Sequence, residues 1–263
     1  MTRHPAQPAY VLHQWDWSET SLIIDLFTRE QGRVAVVAKG AKRPYSQLRS
    51  VLLPFQRVAV SIARPRGDEG AEILTLRAAE YAGAGAMLPA ARLMAGFYLN
   101  ELVLKLLARQ DPHERLFDAY ADTLCILAAG DALAPGEDEA ALRAFELVLL
   151  RETGVLPDLG RVGVSQAPVV GDRAYVMRAE VGLVAAGGTD PALGGAQCLA
   201  LQAALQDGSM ADLRAASAAA LPALKQQLRE TLAYHLGSLP LRTRQTLRSV
   251  RRLLEAATPE APG

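Results

Sequence analysis

The stretch FQRVAVSIAR, residues 55–64, alternates between apolar and more polar positions with a period of two. Val58, Val60 and Ile62 fall on one face, and the residues between them fall on the other. Such alternation is typical of a β-strand that buries one face and leaves the other open. We therefore expect a strand here, packed over a core, with neighbouring segments of the chain as its partners.

Four other segments between residues 9 and 80 have the same character, with β-branched and aromatic residues bounded by turn-forming residues. They are AYVLHQWDW (9–17), TSLIIDLFT (20–28), GRVAVVAKG (32–40) and AEILTLRAAE (71–80). A longer excursion, AKRPYSQLRSVLLP (41–54), separates the third strand from the fourth. Five strands with that excursion suit a small closed barrel of the oligonucleotide/oligosaccharide-binding (OB) type, although an open five-stranded sheet fits the same period.

From about residue 87 the apolar residues recur with the helical period. Helices are expected at 88–109, 111–130, 137–153, 195–206, 209–235 and 240–253, and a hairpin, RAYVMRAEVGLVAAG (173–187), interrupts them. The sequence thus predicts an α+β protein. An N-terminal five-stranded OB-type β-barrel occupies 1–82, an α-helical C-terminal domain occupies 83–256 with a small β-hairpin insertion at 155–191, and 257–263 form a disordered tail.

The net charge of zero hides an uneven distribution along the chain. Residues 1–80 hold 11 Lys and Arg against 8 Asp and Glu, residues 81–221 hold 10 against 17, and residues 222–263 hold 7 against 3. The window 29–66 holds nine basic residues and one acid, Glu30. Screening confines electrostatic fields to roughly 8–10 Å, so a local excess matters more than the total. The pattern favours a polyanionic partner at the barrel.

Lys39 and the excursion after the third strand supply four of these nine cations. We expect Lys39, Lys42, Arg43 and Arg49 to contact phosphates, with Arg33 and Arg57 beside them, because loops between OB strands flank the binding groove. The alternative is a solvated basic loop. Tyr45 lies within the loop and is a candidate for base stacking, whereas Trp15 and Trp17 could either stack on bases or pack in the barrel core or at its edge.

A second basic element is LPLRTRQTLRSVRRLL (239–254). Arg244, Arg248, Arg251 and Arg252 follow the spacing i, i+4, i+7 and i+8, which places them on one helical face, with Leu247, Val250 and Leu254 opposite. The element predicts an amphipathic helix on which Arg242, Arg244 and Arg248 extend the phosphate-binding surface. A solvated cationic face is the alternative.

Enzyme and membrane signals are missing from the sequence. It contains no GxxxxGK[ST], GxSxG or HExxH motif. Its two cysteines are far apart in sequence, and its four histidines are scattered. No apolar run approaches the roughly 18 residues of a membrane span, and the N-terminus lacks the apolar part of a signal peptide. We expect a cytoplasmic protein without catalytic activity, cofactor or bound metal.

Four segments resemble one family in the same order. AYVLHQWDWSETSLIIDLFTREQGRVAVVAKGAKRP (9–44) resembles the start of RecO-family proteins, and GFYLNELVLKLL (96–107), ALRAFELVLLRETGVLPDL (141–159) and LPLRTRQTLR (239–248) resemble the helical domain. The resemblance implies a DNA repair and recombination mediator of the RecF-pathway type, associated with the nucleoid. Such proteins bind single- and double-stranded DNA, anneal complementary strands, work with RecR, and help load RecA onto strands coated by single-stranded DNA-binding protein (SSB).

The resemblance also assigns two local features. Arg143 matches the family's arginine near the site for the acidic, phenylalanine-ended SSB tail, and Ala144 stands where some relatives have a second arginine. Many relatives carry a four-cysteine zinc module after the PDL motif, but Val162 and Ser165 stand at the first CxxC pair and Cys198 is alone. We therefore expect an insertion that lacks the zinc module.

Two other functions fit parts of the sequence. A generic OB-fold RNA-binding protein would carry the same basic loop, although the aromatic content of 5% favours backbone contacts over base readout. A metal-dependent nuclease is the second alternative. Separately, the triplet Glu137, Asp138 and Glu139 could be taken for a metal cluster, but it also fits the acidic first turn of a helix. Competition between DNA and RNA, and cleavage with added magnesium or manganese, separate these possibilities.

Overall fold

Five strands close into a barrel at the N-terminal end of the chain. The structure is a computed structural model, which describes residues 6–63, 70–83, 87–188, 191–237 and 240–257, without the side chains of 251 and 253–257. The strands are β1 (Gln7–Asp16), β2 (Leu22–Thr28), β3 (Gly32–Ala38), β4 (Arg57–Ala63) and β5 (Ile73–Tyr81). Their order around the barrel is β1-β2-β3-β5-β4, with β3 and β5 parallel and the other pairs antiparallel. The closed barrel is confirmed, and the open sheet is not observed.

The inner face of the barrel is the apolar face that the period-two pattern predicts. Val58 and Val60 are fully buried and Ile62 is nearly so, in a core shared with Ile24 and Val36. Burying a side chain of this size stabilises the fold by about 1.5–3 kcal/mol. The excursion between β3 and β4 contains a short helix, α1 (Leu48–Val51).

The turn between β2 and β3 depends on a glycine. Gly32 has a φ of +64°, and a Cβ added there would lie 1.8 Å from the carbonyl oxygen of Asp111. Thr28 fixes the turn, since its Oγ1 donates to the Gly32 carbonyl at 3.0 Å and accepts from Gln31 N at 3.1 Å. Gly32 therefore has a left-handed backbone conformation, and it lies in close contact with the backbone at Asp111.

Seven longer helices follow the barrel in the part of the chain that the structure describes. They are α2 (Leu93–Leu106), α3 (Glu114–Ala128), α4 (Glu137–Glu152), α5 (Gly195–Asp207), α6 (Met210–Ala219), α7 (Leu221–Leu236) and α8 (Arg242–Ala257). The prediction of a single helix at 209–235 was wrong, because the helix is interrupted at Ala220, between α6 and α7. Pro222 lies in the first turn of α7, where a missing N–H is tolerated, but it would break the middle of a longer helix.

The insertion forms the predicted hairpin and adds one short strand. β6 (Ala174–Arg178) pairs with β7 (Gly182–Ala185), and β8 (Leu193–Gly194) pairs with the other edge of β6. Gln227 of α7 holds the hairpin, since its Oε1 accepts from Met177 N at 2.9 Å and its Nε2 donates to the Pro191 carbonyl at 2.8 Å.

A second apolar core, outside the barrel, is shared by the outer face of the barrel and the helices. Tyr10 and Phe27, on the outer face of the barrel, pack against Phe117 and Tyr120 of α3 with ring centroids 5.0–5.9 Å apart. Asn100 of α2 links the two parts by hydrogen bonds described below. None of the helices in the described part of the chain is both long and apolar enough to span a membrane. The predicted tail, apart from Ala257, lies outside the described residues.

Candidate nucleic-acid interface

The basic loop between β3 and α1 presents several side chains to solvent. Lys39, Arg43 and Arg49 are exposed, and Tyr45 is 98% exposed. Four of the predicted site residues are therefore exposed along the single segment that joins β3 to β4. Their positive charge faces water, where it is available to a polyanion.

Lys42 has a different role from the other loop residues. Its Nζ lies 3.1 Å from Asp16 Oδ1 and donates to the Ser18 carbonyl at 3.2 Å, and its backbone N donates to the Thr20 carbonyl at 3.0 Å. These contacts fasten the loop to the connection between β1 and β2. Lys42 therefore positions the loop, and its charge is already shared with an aspartate.

Arg33 and Arg57 face the helices and not the basic loop. Arg33 donates to the Leu104 carbonyl at 2.6 Å, at the end of α2, and its guanidinium lies 3.6 Å from the buried carboxylate of Asp25. Arg57 pairs in register with Tyr10, whose pKa rises to about 12 because burial outweighs the opposing effect of Arg57. Phosphate contacts by these two arginines therefore stay predictions.

A carboxylate of α2 caps the cationic helix α8. Glu101 accepts from Arg242 N at 2.7 Å, from Thr243 N at 3.0 Å and from Thr243 Oγ1 at 2.7 Å. Partial burial raises the pKa of Glu101, but these hydrogen bonds and one from Lys105 together lower it below its ordinary value. The sequence does not indicate this cap, because Glu101 lies 141 residues before Arg242 in the chain.

From Gln245 to Val250, the side chains of α8 are exposed to solvent. Arg242 and Arg248 are exposed, and Leu247 and Val250 are 47% and 46% exposed. Arg244 instead turns toward α2, where its guanidinium lies 5.5 Å from the centre of the Tyr98 ring and donates to the Tyr98 hydroxyl at 3.2 Å. The helix thus presents two of the three predicted cations, and the third anchors it.

Arg143 lies in a nearly closed polar cluster beneath α8. Its guanidinium is 2.6 Å from Glu146 Oε1, which also accepts from the Tyr98 hydroxyl at 2.5 Å. Burial raises the pKa of Glu146, with Arg143 and Tyr98 acting in the opposite direction. Arg143 Nε and Glu146 Oε2 have no hydrogen-bond partner among the described residues. The cluster therefore retains an unused donor and an unused acceptor.

Both tryptophans lie outside the two apolar cores. Trp15 is 43% exposed near the end of β1, and Trp17, just past the strand, is 62% exposed. The His13 ring packs edge-on against Trp15, with centroids 4.4 Å apart. Both aromatic side chains are therefore accessible beside the basic loop that Lys42 fastens.

Two carboxylates of α3, Asp118 and Asp122, feel the charge of arginines from other elements. A cleft of about 360 Å³ next to α3 is lined by Asp118 and Asp122. Arg29 lies 3.1 Å from Asp118, while burial raises the pKa of Asp122 against the effect of Arg214. Within the ranges that the structure describes, His, Cys, Asp and Glu side chains form no group of three that could hold a metal ion.

Among the described residues of the insertion, the positions at which the resemblance places the first pair of zinc ligands carry no thiol. Val162 and Ser165 have no thiol, and backbone hydrogen bonds organise the segment instead. Val162 N donates to the Ala167 carbonyl at 2.9 Å, and Gly163 N donates to the Leu183 carbonyl at 2.7 Å. The residues present therefore do not fit a tetrahedral zinc site.

Comparison with known proteins gives consistent matches along the chain. Family models for the N-terminal and C-terminal parts of recombination protein O match residues 1–82 and 90–245. The chain is 47% identical over 253 residues to a protein of Variovorax paradoxus (strain S110), with 94% of this chain and 96% of that protein covered. It is 48% identical over 261 residues to a protein of Acidovorax ebreus (strain TPSY), with 94% and 97% covered. Both relatives are named DNA repair protein RecO.

Proposed function

The chain belongs to the RecO family of DNA repair proteins, and we propose that it acts as a recombination mediator that binds single- and double-stranded DNA and anneals complementary strands. It would help load RecA onto SSB-coated strands together with RecR, in the cytoplasm at the nucleoid. Annealing needs no covalent chemistry, because neutralising the phosphates of two strands lets base pairing supply the driving force.

The exposed cations of the basic loop are the observation that carries this proposal. Lys39, Arg43 and Arg49 project from a loop that Lys42 fastens to the barrel, so their charges are held on one surface. Arg242 and Arg248 of α8 supply a second exposed cationic surface. Contacts of this kind give salt-dependent binding that is largely independent of base sequence.

The decisive experiment is annealing of complementary strands precoated with SSB, with and without the protein and in the absence of ATP. We expect acceleration by the wild type and strong loss of it in a Lys39→Ala/Arg43→Ala variant. That variant should also flatten the salt dependence of DNA affinity, by about 0.7 in slope per lost phosphate contact on single strands.

Lys225→Ala provides the control, since it removes a similar charge on α7 that is already paired with Glu139 at 2.8 Å and lies outside the basic loop. It should weaken binding less and leave the salt slope unchanged. Failure of the wild type to accelerate annealing would reject the mediator function. A preference for RNA in competition would then favour the RNA-binding alternative, and strand cleavage with magnesium or manganese would favour a nuclease.

A further inference from the structure

One row of side chains crosses four strands on the outer face of the barrel. Trp15 of β1 pairs with Ile23 of β2, Ile23 pairs with Val37 of β3, and Val37 pairs with Thr75 of β5. Paired residues project from the same face of a sheet. Because Ile24, the next residue of β2, is buried inside the barrel, the row faces outward.

Counted outward from the helices, this row is the first whose side chains are not covered. The preceding row contains Asp25, which is fully buried, and the row before that contains Phe27, which α3 covers. In contrast, Trp15 is 43% exposed, and the other three members of its row are half-buried. The barrel therefore presents a shallow, mainly apolar strip that ends in an accessible indole ring.

The aromatic end of the strip is held in place. His13 packs edge-on against Trp15 at an interplanar angle of 76°. The next residue, Asp16, binds Lys42, and Trp17 N donates to the Ser21 carbonyl at 3.2 Å. A preorganised ring loses less conformational entropy when a ligand stacks on it.

Cations border the strip on the side away from the helices. Lys39 follows Val37 by two residues, Arg77 follows Thr75 by two residues, and both side chains are exposed. Two strand residues correspond to about 7 Å. An apolar and aromatic strip with a cationic border matches the chemistry of a single nucleic-acid strand, whose bases are apolar on their faces and whose backbone is anionic.

We propose that the strip Trp15–Ile23–Val37–Thr75, together with Trp17, binds unpaired bases, while Lys39 and Arg77 bind the phosphates of the same strand. The proposal rests on the proposed function and deepens it, since it assigns selectivity for single strands to this strip. Bases in a duplex are stacked on one another and cannot offer their faces to Trp15. Phosphate contacts alone do not make this distinction.

The chain offers a native reporter for the test, because its two tryptophans both lie at this site. Titration with a dT oligonucleotide should quench the intrinsic tryptophan fluorescence to saturation, and a duplex hairpin should quench it much less. Trp15→Ala should lower affinity for the dT strand about tenfold and leave duplex affinity and the salt slope unchanged. Trp15→Phe should restore most of the loss.

Tyr234→Ala is the matched control, since Tyr234 is 53% exposed on α7 and belongs to no such strip. Strand binding without quenching, or equal losses for strand and duplex in Trp15→Ala, would overturn the strip as the site for bases. Quenching that depends on protein concentration and not on the added strand would indicate that the strip binds a second copy of the chain. That result would also overturn the proposal that it binds bases. Absence of any nucleic-acid binding would instead overturn the proposed function, and the strip with it.

Discussion

Arg143 shares the carboxylate of Glu146, three residues further along the same helix, and its side chain is only 8% exposed. An incoming carboxylate must therefore compete with Glu146 for the guanidinium. Tyr98 moderates this competition, because its hydroxyl donates to the same oxygen of Glu146. If Arg143 binds the SSB tail, as the family resemblance implies, the strength of that contact depends on how firmly Glu146 holds the arginine.

This competition gives a prediction for Arg143. Arg143→Met combined with Glu146→Gln removes both buried charges together and so avoids leaving one of them unpaired. We expect this double variant to lose about tenfold or more in affinity for an acidic peptide that ends in phenylalanine, measured by calorimetry, while DNA affinity is unchanged.

Glu146→Gln alone is the matched control for that variant. It frees Arg143 from the competing carboxylate and keeps an acceptor for Tyr98, so peptide affinity should be retained or increased. Unaltered peptide binding by the double variant would show that Arg143 does not belong to the tail site.

At the scale of the element, α8 is attached to the body mainly through its first turn. Glu101 caps its N-terminus and Arg244 packs on Tyr98, whereas Leu247 and Val250 remain half-exposed. A helix held in this way presents its exposed cations only while its cap is intact. Loss of an N-terminal cap costs about 1 kcal/mol.

The cap predicts a pH dependence for Glu101→Gln. The pKa of Glu101 is lowered in the folded protein, so its contribution to stability is complete above its ordinary value of 4.5 and is lost as pH falls through the lowered value. At pH 7, Glu101→Gln should lower Tm by about 2 °C, and the difference should shrink below pH 4. Glu80→Gln, at an exposed carboxylate of β5, is the control, and an equal effect in both variants would contradict the capping role.

The elements that sequence could predict are those defined by local periodicity. The inward face of β4 and the hairpin of β6 and β7 follow directly from alternation. The roles of Arg33 and Glu101 could not be predicted, because their partners lie 71 and 141 or more residues away in sequence. The strip beginning at Trp15 could not be predicted either, since its prediction requires the registers of four strands and the position of a bulge after Val11.

At the scale of the molecule, Asn100 joins barrel and helices at the centre of their shared core. Its Nδ2 donates to the Leu12 carbonyl of β1 at 2.8 Å, and its Oδ1 accepts from the Tyr120 hydroxyl of α3 at 2.5 Å. All three groups are buried. Because the apolar cluster around them draws on both parts of the chain, neither part can lose its structure without exposing the other.

The shared core predicts one cooperative unfolding transition in calorimetry for the whole chain. Asn100→Ala leaves a carbonyl and a hydroxyl unpaired in the core, so it should destabilise the protein by about 2 kcal/mol and lower the single Tm by about 5 °C. Gln206→Ala, at an exposed amide on α5, should leave Tm unchanged. Two separate transitions in either variant would show that barrel and helices unfold independently.

The contact between Gly32 and Asp111 also constrains how this protein can evolve. A methyl group at position 32 would collide with a backbone carbonyl, which no change of a neighbouring side chain can move aside, whereas a Cβ at Gly187 would meet nothing within 4 Å. Selection should therefore hold position 32 as glycine in every lineage that retains this junction, while position 187 is free to drift. A descendant that loses Gly32 would have to rebuild the junction, and with it the angle at which the helices meet the barrel.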